Sequence, residues 1–152
     1  MKAVLVFIDG TICDTRPRHP LGIVIGSPES YQRDVLLMGE AVPDSVQCMQ
    51  EIAQRYELVY MGARPDYTLP YTEEWLALKG FPKGHVYVKR TQEERLELVR
   101  KLRDQFDFAA GIGDRWDDNE LHLEMRCLSI ILKEFEGNWN TVRKYLLDGD
   151  KA

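Results

Sequence analysis

The chain has 152 residues, 44% hydrophobic and 30% charged, a composition typical of one globular domain with an ordinary core. Its net charge of −5 argues against a general nucleic-acid-binding surface, although it is compatible with a local basic patch. There is no apolar run long enough to cross a bilayer and no signal-peptide pattern, and the three cysteines are scattered, so we expect a cytoplasmic protein without a membrane span.

The first predicted element is a buried strand over residues 3–8, which stops abruptly at Asp9-Gly10-Thr11. The following segment, residues 13–40, is rich in Pro, Gly, Arg and Ser. We interpret it as a long connection carrying a small hairpin or flap within a single domain that spans residues 1–152, because loops of this length in compact domains are usually functional.

The rest of the chain alternates predicted helices and strands. Helices are predicted from Pro43 through Ala53, at 72–79 before Gly80, from the capping box Thr91–Glu94, at 118–125, and around Trp139, Val142 and Tyr145 or Leu146. Strands are predicted at 57–61, 85–88, 108–112 and 127–132. This alternation predicts a three-layer, Rossmann-like α/β fold with about five parallel strands and helices on both faces.

Ligands of parallel sheets bind outside the carboxyl ends of the strands. Asp9, residues 62–64 and residues 113–118 each follow a predicted strand, so we expect these three polar segments to form one site. At the first strand end, Gly10 permits a sharp turn and the Thr11 hydroxyl can bind a phosphate. An ordinary Asp-Gly turn is the alternative at this position.

A second acidic motif, Gly-Ile-Gly-Asp-Arg-Trp-Asp-Asp, occupies residues 111–118. Carboxylates such as Asp114 and Asp118 after a strand suit Mg²⁺, which takes one or two carboxylates together with water and substrate phosphate. The alternative is that Asp117 and Asp118 cap the next helix while Asp114 belongs to a turn. Trp116, between these acids, either lines the cleft or packs in the core.

These motifs resemble those of the haloacid dehalogenase-like (HAD) superfamily, whose first motif is Asp-x-Asp-Gly-Thr and whose fourth is Gly-Asp-x-x-x-Asp. Asp9, Gly10 and Thr11 match the last three residues of the first motif, and Asp114 and Asp118 match the fourth. The attacking first Asp of the family falls on residue 7, which is Phe. The resemblance covers nearly the whole chain and implies a phosphatase fold with a minimal cap.

The second motif of the polynucleotide 3′-phosphatase and acid-phosphatase branch is Thr-Gly-Arg-Pro. Here Gly62 and Ala63 stand at the Thr and Gly positions, and Arg64-Pro65 are retained. The resemblance implies a phosphate site formed by this backbone together with Arg64, for which a surface salt bridge is the alternative role.

For the cation of the third motif, Lys89 and Arg95 are candidates, and exposed cations are the alternative. Arg16, Arg18 and His19 lie in the flap, where this branch places residues that face the substrate.

The resemblance implies that Asp9 and Thr11 are catalytic residues and that Asp9, Asp114 and Asp118 are Mg²⁺ ligands, with metal binding weakened because Phe7 supplies no carboxylate. We favour a degenerate phosphatase that binds a phosphorylated small molecule, nucleic-acid end or protein with little turnover. Two hydrolase hypotheses stay open. In one, Asp9 attacks phosphorus after a two-residue register shift; in the other, metal-activated water attacks.

Overall fold

The computed structural model of the chain describes residues 1–148. Its strands are β1 (Ala3–Phe7), β2 (Cys13–Asp14), β3 (Glu40–Ala41), β4 (Glu57–Gly62), β5 (His85–Val88), β6 (Phe108–Gly113) and β7 (Leu128–Ile131). Its α-helices are α1 (Arg33–Leu36), α2 (Ser45–Ile52), α3 (Leu69–Lys79), α4 (Gln92–Gln105), α5 (Trp116–Glu124) and α6 (Trp139–Leu146). Five strands form a parallel sheet in the order β5-β4-β1-β6-β7, which confirms the predicted α/β architecture.

The central strand β1 is buried on both faces, as its continuous apolar sequence predicts. Val4, Val6 and Ile8 pack in one apolar cluster with residues of α2, α3 and α6. Ala3, Leu5 and Phe7 pack in a second cluster with residues of α4 and α5. The alternation of side chains along β1 therefore fills both interfaces between the sheet and the helices.

Local signals set most helix ends. Helix α4 begins at the predicted capping box, in which the Glu94 amide donates to Thr91 Oγ1 at 3.1 Å and the Thr91 amide donates to Glu94 Oε1 at 3.3 Å. Helix α3 ends at Gly80, whose φ of 86° is left-handed. It begins at Leu69, earlier than predicted, because Pro70 suits a first helical turn. In α6, Leu146 faces the core and Tyr145 is exposed.

The two short strands β2 and β3 pair in antiparallel fashion, Cys13 with Ala41 and Asp14 with Glu40. They hold together the ends of the segment 13–40, here called the flap. Between them the chain forms two 3₁₀ turns, Arg16–Leu21 and Pro28–Tyr31, followed by α1. Short turns are expected in this segment, because its sequence is rich in Pro and Gly.

The sheet topology brings the predicted site segments to one edge. Because β1 lies between β4 and β6 and all three are parallel, the loops that follow them leave from the same edge. This is the switch point at which open α/β sheets bind ligands. Within residues 1–148, none of the helices is both long and apolar enough to span a bilayer.

Candidate active site

Phe7 is the last residue of β1 and lies in register with Met61 of β4. The ladder continues one step further, since the Ile8 amide donates to the Met61 carbonyl at 3.1 Å. The Phe7 side chain is only 3% exposed and packs in the apolar cluster between the sheet and α4 and α5. Its ring centroid is 5.8 Å from that of His122. An aromatic ring, part of the core, thus occupies this position at the end of the central strand.

Asp9 is held by Arg64 in a bidentate ion pair. Arg64 Nε donates to Asp9 Oδ2 at 2.9 Å, and Nη2 donates to Asp9 Oδ1 at 2.7 Å. The third donor, Arg64 Nη1, binds Thr72 Oγ1 at 3.0 Å. Burial alone would raise the pKa of Asp9, but the Arg64 guanidinium holds it below its usual range, with a further contribution from Arg18. Arg64 itself is fully buried, so a surface salt bridge is the wrong description of this residue.

Thr11 and Asp114 join the end of β1 to the end of β6. Thr11 Oγ1 donates to Asp114 Oδ1 at 2.8 Å, and Asp114 Oδ2 is buried without a hydrogen-bond partner among the described residues. Gly10 has a φ of 91°, and a Cβ there would overlap the Asp114 carboxylate, so glycine allows this approach. Burial raises the pKa of Asp114 to about 7; the Thr11 hydrogen bond opposes this shift, and the charge of Asp118 adds to it.

Asp118 caps the start of α5. Its Oδ2 accepts hydrogen bonds from the backbone amides of Asp114 at 2.9 Å and Arg115 at 3.1 Å. Gly113 makes room for this side chain, because a Cβ at Gly113 would overlap Asp118. The capping role foreseen as the alternative for Asp118 is therefore present in the structure.

The end of β4 is closely packed. A Cβ on Gly62 would lie 3.2 Å from Val88 Cγ1 and 3.5 Å from Ile8 Cδ1, so a larger residue requires its neighbours to shift. The Gly62 carbonyl accepts from the Lys89 amide at 3.1 Å. Ala63, the next residue, lines the cleft described below.

The two third-motif candidates lie beside β5. Lys89 forms an ion pair with Asp66 at 3.3 Å and is partly exposed. Arg95 is 4% exposed, and its Nη1 donates to the carbonyls of Lys89 at 2.9 Å and Arg90 at 3.0 Å. Arg95 therefore binds the backbone that follows β5. Within the described part of the chain, no hydrogen bond or ion pair joins either cation to Asp9.

A cleft of about 330 Å³ opens above Asp9, Gly10 and Ala63. The flap contributes Arg18, His19 and Tyr31 to its lining, and the loops after β6 and β7 contribute Arg115, Glu134 and Phe135. Arg18 Nη2 lies 3.9 Å from Asp9 Oδ1. The other predicted flap cation, Arg16, instead binds Asp14 and stacks 4.9 Å from the Phe135 ring centroid. Trp116 is 85% exposed and is not among the residues that line the cleft.

Sequence reasoning included Arg115 in the expected site segment 113–118 without giving it a role, and it missed Phe135. The Phe135 amide donates to the Gly10 carbonyl at 2.8 Å, and Phe135 has a φ of 61°, which is strained for a bulky residue. This contact ties the loop after β7 to the turn after β1. Phe135 carries no local signal, because only folding brings the loop after β7 to the turn after β1.

Within residues 1–148, the three predicted Mg²⁺ ligands do not converge as one cluster of carboxylates. Among residues 1–148, no three His, Cys, Asp or Glu side chains converge in a cluster that suits a metal ion. Both oxygens of Asp9 bind Arg64, and Asp118 Oδ2 binds backbone amides. Asp114 Oδ2 is left as a buried carboxylate oxygen without a partner. This donor set does not fit a Mg²⁺ ion held by the three carboxylates.

Several solved hydrolases have a similar structure. A class C acid phosphatase from Bacillus anthracis with tungstate bound matches with a TM-score of 0.69 and 20% identity, over 95% of this chain and 72% of that chain. A haloacid dehalogenase-like family hydrolase from Streptococcus pneumoniae matches with a TM-score of 0.65 and 13% identity, over 93% and 90%. A chain of the Pnkp1/Rnl/Hen1 complex matches with a TM-score of 0.65 and 14% identity, over 90% and 47%.

No protein-family model matches the sequence, and no curated protein matches it either. At these low identities, the similarity to solved structures is a similarity of fold. It extends over nearly the whole chain and agrees with the order of the motifs at the strand ends. The chain therefore has the fold of the HAD-superfamily hydrolases.

Proposed function

We propose that this protein is a HAD-type phosphatase scaffold with a degenerate active site. It binds a phosphorylated small molecule, nucleic-acid end or protein, with little or no aspartyl-phosphatase turnover. The observation that carries this proposal is the burial of Phe7, at 3% exposure, where the family motif has its attacking carboxylate.

The chemistry of aspartyl-phosphatases depends on that carboxylate, which attacks phosphorus and forms an aspartyl-phosphate that water then hydrolyses. A phenyl ring has no lone pair with which to attack phosphorus, and it offers no oxygen ligand to Mg²⁺. The loss of a nucleophile lowers turnover by several orders of magnitude. The packing of Phe7 in the core supports its role as a structural residue.

Gly62 supports the same conclusion independently. The family hydroxyl at this position donates to the transferring phosphoryl group, and the loss of such a donor costs about 3–4 kcal/mol of transition-state stabilisation. Glycine supplies no hydroxyl, and the contacts that a Cβ would make with Val88 and Ile8 leave little space for a threonine.

The cleft itself supports binding. Arg18, His19 and Arg115 line it, and arginine is well suited to phosphoryl groups because its planar donors match two oxygens at once. The cleft opens directly above Asp9, at the edge where parallel sheets bind ligands.

An active hydrolase that uses Asp9 is the alternative. Asp9 is 29% exposed and borders the cleft, which favours access by a ligand. Its two oxygens are, however, both bound by Arg64, and it lies beyond the β1–β4 ladder, whose register runs without a break from Ala3 to Phe7. The two hydrogen bonds from Arg64 fix the Asp9 carboxylate and lower its nucleophilicity, so this arrangement favours the binding role.

The test is phosphate release in Mg²⁺ from a panel of phosphomonoesters that includes 3′-phosphorylated oligonucleotides. Wild type is compared with Phe7→Asp, Asp9→Asn and Asp114→Asn, after each variant has been checked for folding. We expect no turnover by wild type and gained turnover by any folded Phe7→Asp protein.

Turnover by wild type that Asp9→Asn abolishes would contradict the proposal and assign the attack to Asp9. Metal-dependent turnover that Asp114→Asn abolishes while Asp9→Asn retains it would instead indicate attack by water.

A further inference from the structure

Arg64 is the cation that pairs with Asp9, and each of its three guanidinium nitrogens already donates a hydrogen bond within the protein. Nε and Nη2 bind the two oxygens of Asp9, and Nη1 binds Thr72. The side chain is also fully buried. A buried guanidinium with these partners holds Asp9 in place and has no free edge for a ligand. The phosphoryl contact expected of Arg64 must therefore come from other cations.

Arg18 and Arg115 have free donors at the cleft. Arg18 Nη1 makes a long hydrogen bond of 3.3 Å to the Ser30 carbonyl, and Nη2 lies 3.9 Å from Asp9 Oδ1. Arg115 is exposed, and we find no hydrogen bond or ion pair of its guanidinium within residues 1–148. These two arginines line the same cleft and come from different segments, Arg18 from the flap and Arg115 from the loop after β6. Guanidinium groups are well matched to the oxygens of an oxyanion.

The balance of charge at the cleft also favours an anion. Arg18, Arg115 and the buried Arg64 are opposed there by Asp9 and Glu134. Asp9 is neutralised by its pairing with Arg64. The two remaining arginines therefore outnumber the one remaining carboxylate of the lining, without any contribution from a metal ion.

Of the three carboxylates predicted to hold a cation, Asp9 accepts hydrogen bonds from Arg64 on both oxygens and Asp118 accepts two from backbone amides. Only Asp114 has a buried oxygen without a partner among the described residues. We propose that the cleft holds the phosphoryl group of its ligand through Arg18 and Arg115, without a Mg²⁺ ion. This inference rests on the proposed function. It adds which residues contact the phosphoryl group, and that this contact does not require a metal ion.

The experiment is calorimetric titration of the full chain with tungstate, a tetrahedral oxyanion, in EDTA and again in Mg²⁺. Mg²⁺ alone is titrated separately. Arg18→Gln and Arg115→Gln remove the proposed contacts. Arg100→Gln is the matched control, because Arg100 lies on α4, pairs with Glu124 and is not among the residues that line the cleft.

We expect wild type and Arg100→Gln to bind tungstate equally well in EDTA and in Mg²⁺, with no saturable binding of Mg²⁺ alone. Each cleft variant should weaken tungstate binding by about tenfold, the effect of losing one charge-assisted hydrogen bond.

Tungstate binding that requires Mg²⁺ would overturn this inference and leave the proposed binding function in place. Binding that neither cleft variant weakens would also overturn it, since it would indicate an adventitious ion only. Absence of binding in both buffers would contradict the proposed function itself.

Discussion

The ends of β1 and β6 are neighbours in the sheet, but they have very different chemistry. At the end of β1, Phe7 belongs to the core and Asp9 is bound by Arg64. At the end of β6, Asp114 has a buried oxygen without a partner, and burial raises its pKa to about 7. The interactions at the end of β1 stabilise the fold, whereas the buried carboxylate oxygen at the end of β6 is unfavourable for stability. The comparison shows that the carboxylate at the end of β1 is paired with a cation, whereas the carboxylate at the end of β6 has an oxygen without a partner among the described residues.

The largest effect is expected from Phe7→Asp, which exchanges a core ring for a carboxylate. The change should lower the free energy of unfolding by at least about 4 kcal/mol, because it opens a cavity and buries a polar group. Urea unfolding at neutral pH measures this change. Phe7→Leu, which keeps the site apolar, is the control and should cost about 1 kcal/mol. A Phe7→Asp protein as stable as wild type would show that the end of β1 is not part of the core.

Arg64→Met should have the next largest effect, because it leaves Asp9 without its buried partner. We expect a loss of about 3 kcal/mol in the free energy of unfolding. The matched control is Arg33→Met, which removes a bidentate but exposed pair with Glu74 and should change the free energy of unfolding far less.

The double variant Asp9→Asn, Arg64→Met removes both charges and should recover part of the loss. If Arg64→Met and Arg33→Met lower the free energy of unfolding equally, the Asp9–Arg64 ion pair contributes no more than an exposed ion pair does.

Asp114→Asn should have the opposite sign and stabilise the protein at alkaline pH. Folding raises the pKa of Asp114 from its unfolded value near 4 to about 7. The contribution of Asp114 to the free energy of unfolding is therefore complete below about pH 4 and is lost as the pH rises through about 7. Asparagine does not lose this contribution. Because Asp114 is partly exposed, we expect Asp114→Asn to raise the free energy of unfolding by only about 1–2 kcal/mol at pH 8. At pH 3 the variant and wild type should have nearly the same stability.

Thermal unfolding across pH 3–8 measures the gain. Thr11→Val, which removes the hydrogen bond but keeps the carboxylate, is the control and should not gain stability with rising pH. An Asp114→Asn protein that is less stable than wild type at pH 8 would mean that the Asp114 carboxylate has favourable partners, as the Asp9 carboxylate does.

The smallest effect is expected from Trp116→Ala, at the start of α5. Trp116 is 85% exposed and does not line the cleft, so both the free energy of unfolding and tungstate binding should stay close to wild type, within about 0.5 kcal/mol. A tenfold loss of tungstate binding would show that the cleft extends past the end of β6 to this ring.

The sheet and its helices were predictable because their signals are local. The continuous apolar sequence of β1, the capping box at Thr91 and the glycine at the end of α3 each act within a few residues. Asp114 and Asp118 were recognisable as candidate site residues because they lie in one short motif directly after β6. The structure of the flap was not predicted in detail, since a polar segment rich in Pro and Gly carries no periodic pattern.

The interior of the site depends on distant partners. Arginine is almost never fully buried without a pair, and the partner of Arg64 lies on another strand end, so its burial was not evident from the sequence. Arg115 and Phe135 reach the cleft through loops that follow different strands. Such contacts are set by topology, which no local pattern encodes.

The most direct test is whether any carboxylate at these strand ends becomes phosphorylated. Wild type is incubated with acetyl phosphate and Mg²⁺, quenched in acid, and its intact mass is measured. We expect the unmodified mass, because Phe7 cannot attack phosphorus and both oxygens of Asp9 bind Arg64. A protein heavier by one phosphoryl group, with the modification mapped to Asp9, would contradict the proposal that this site lacks aspartyl-phosphatase turnover.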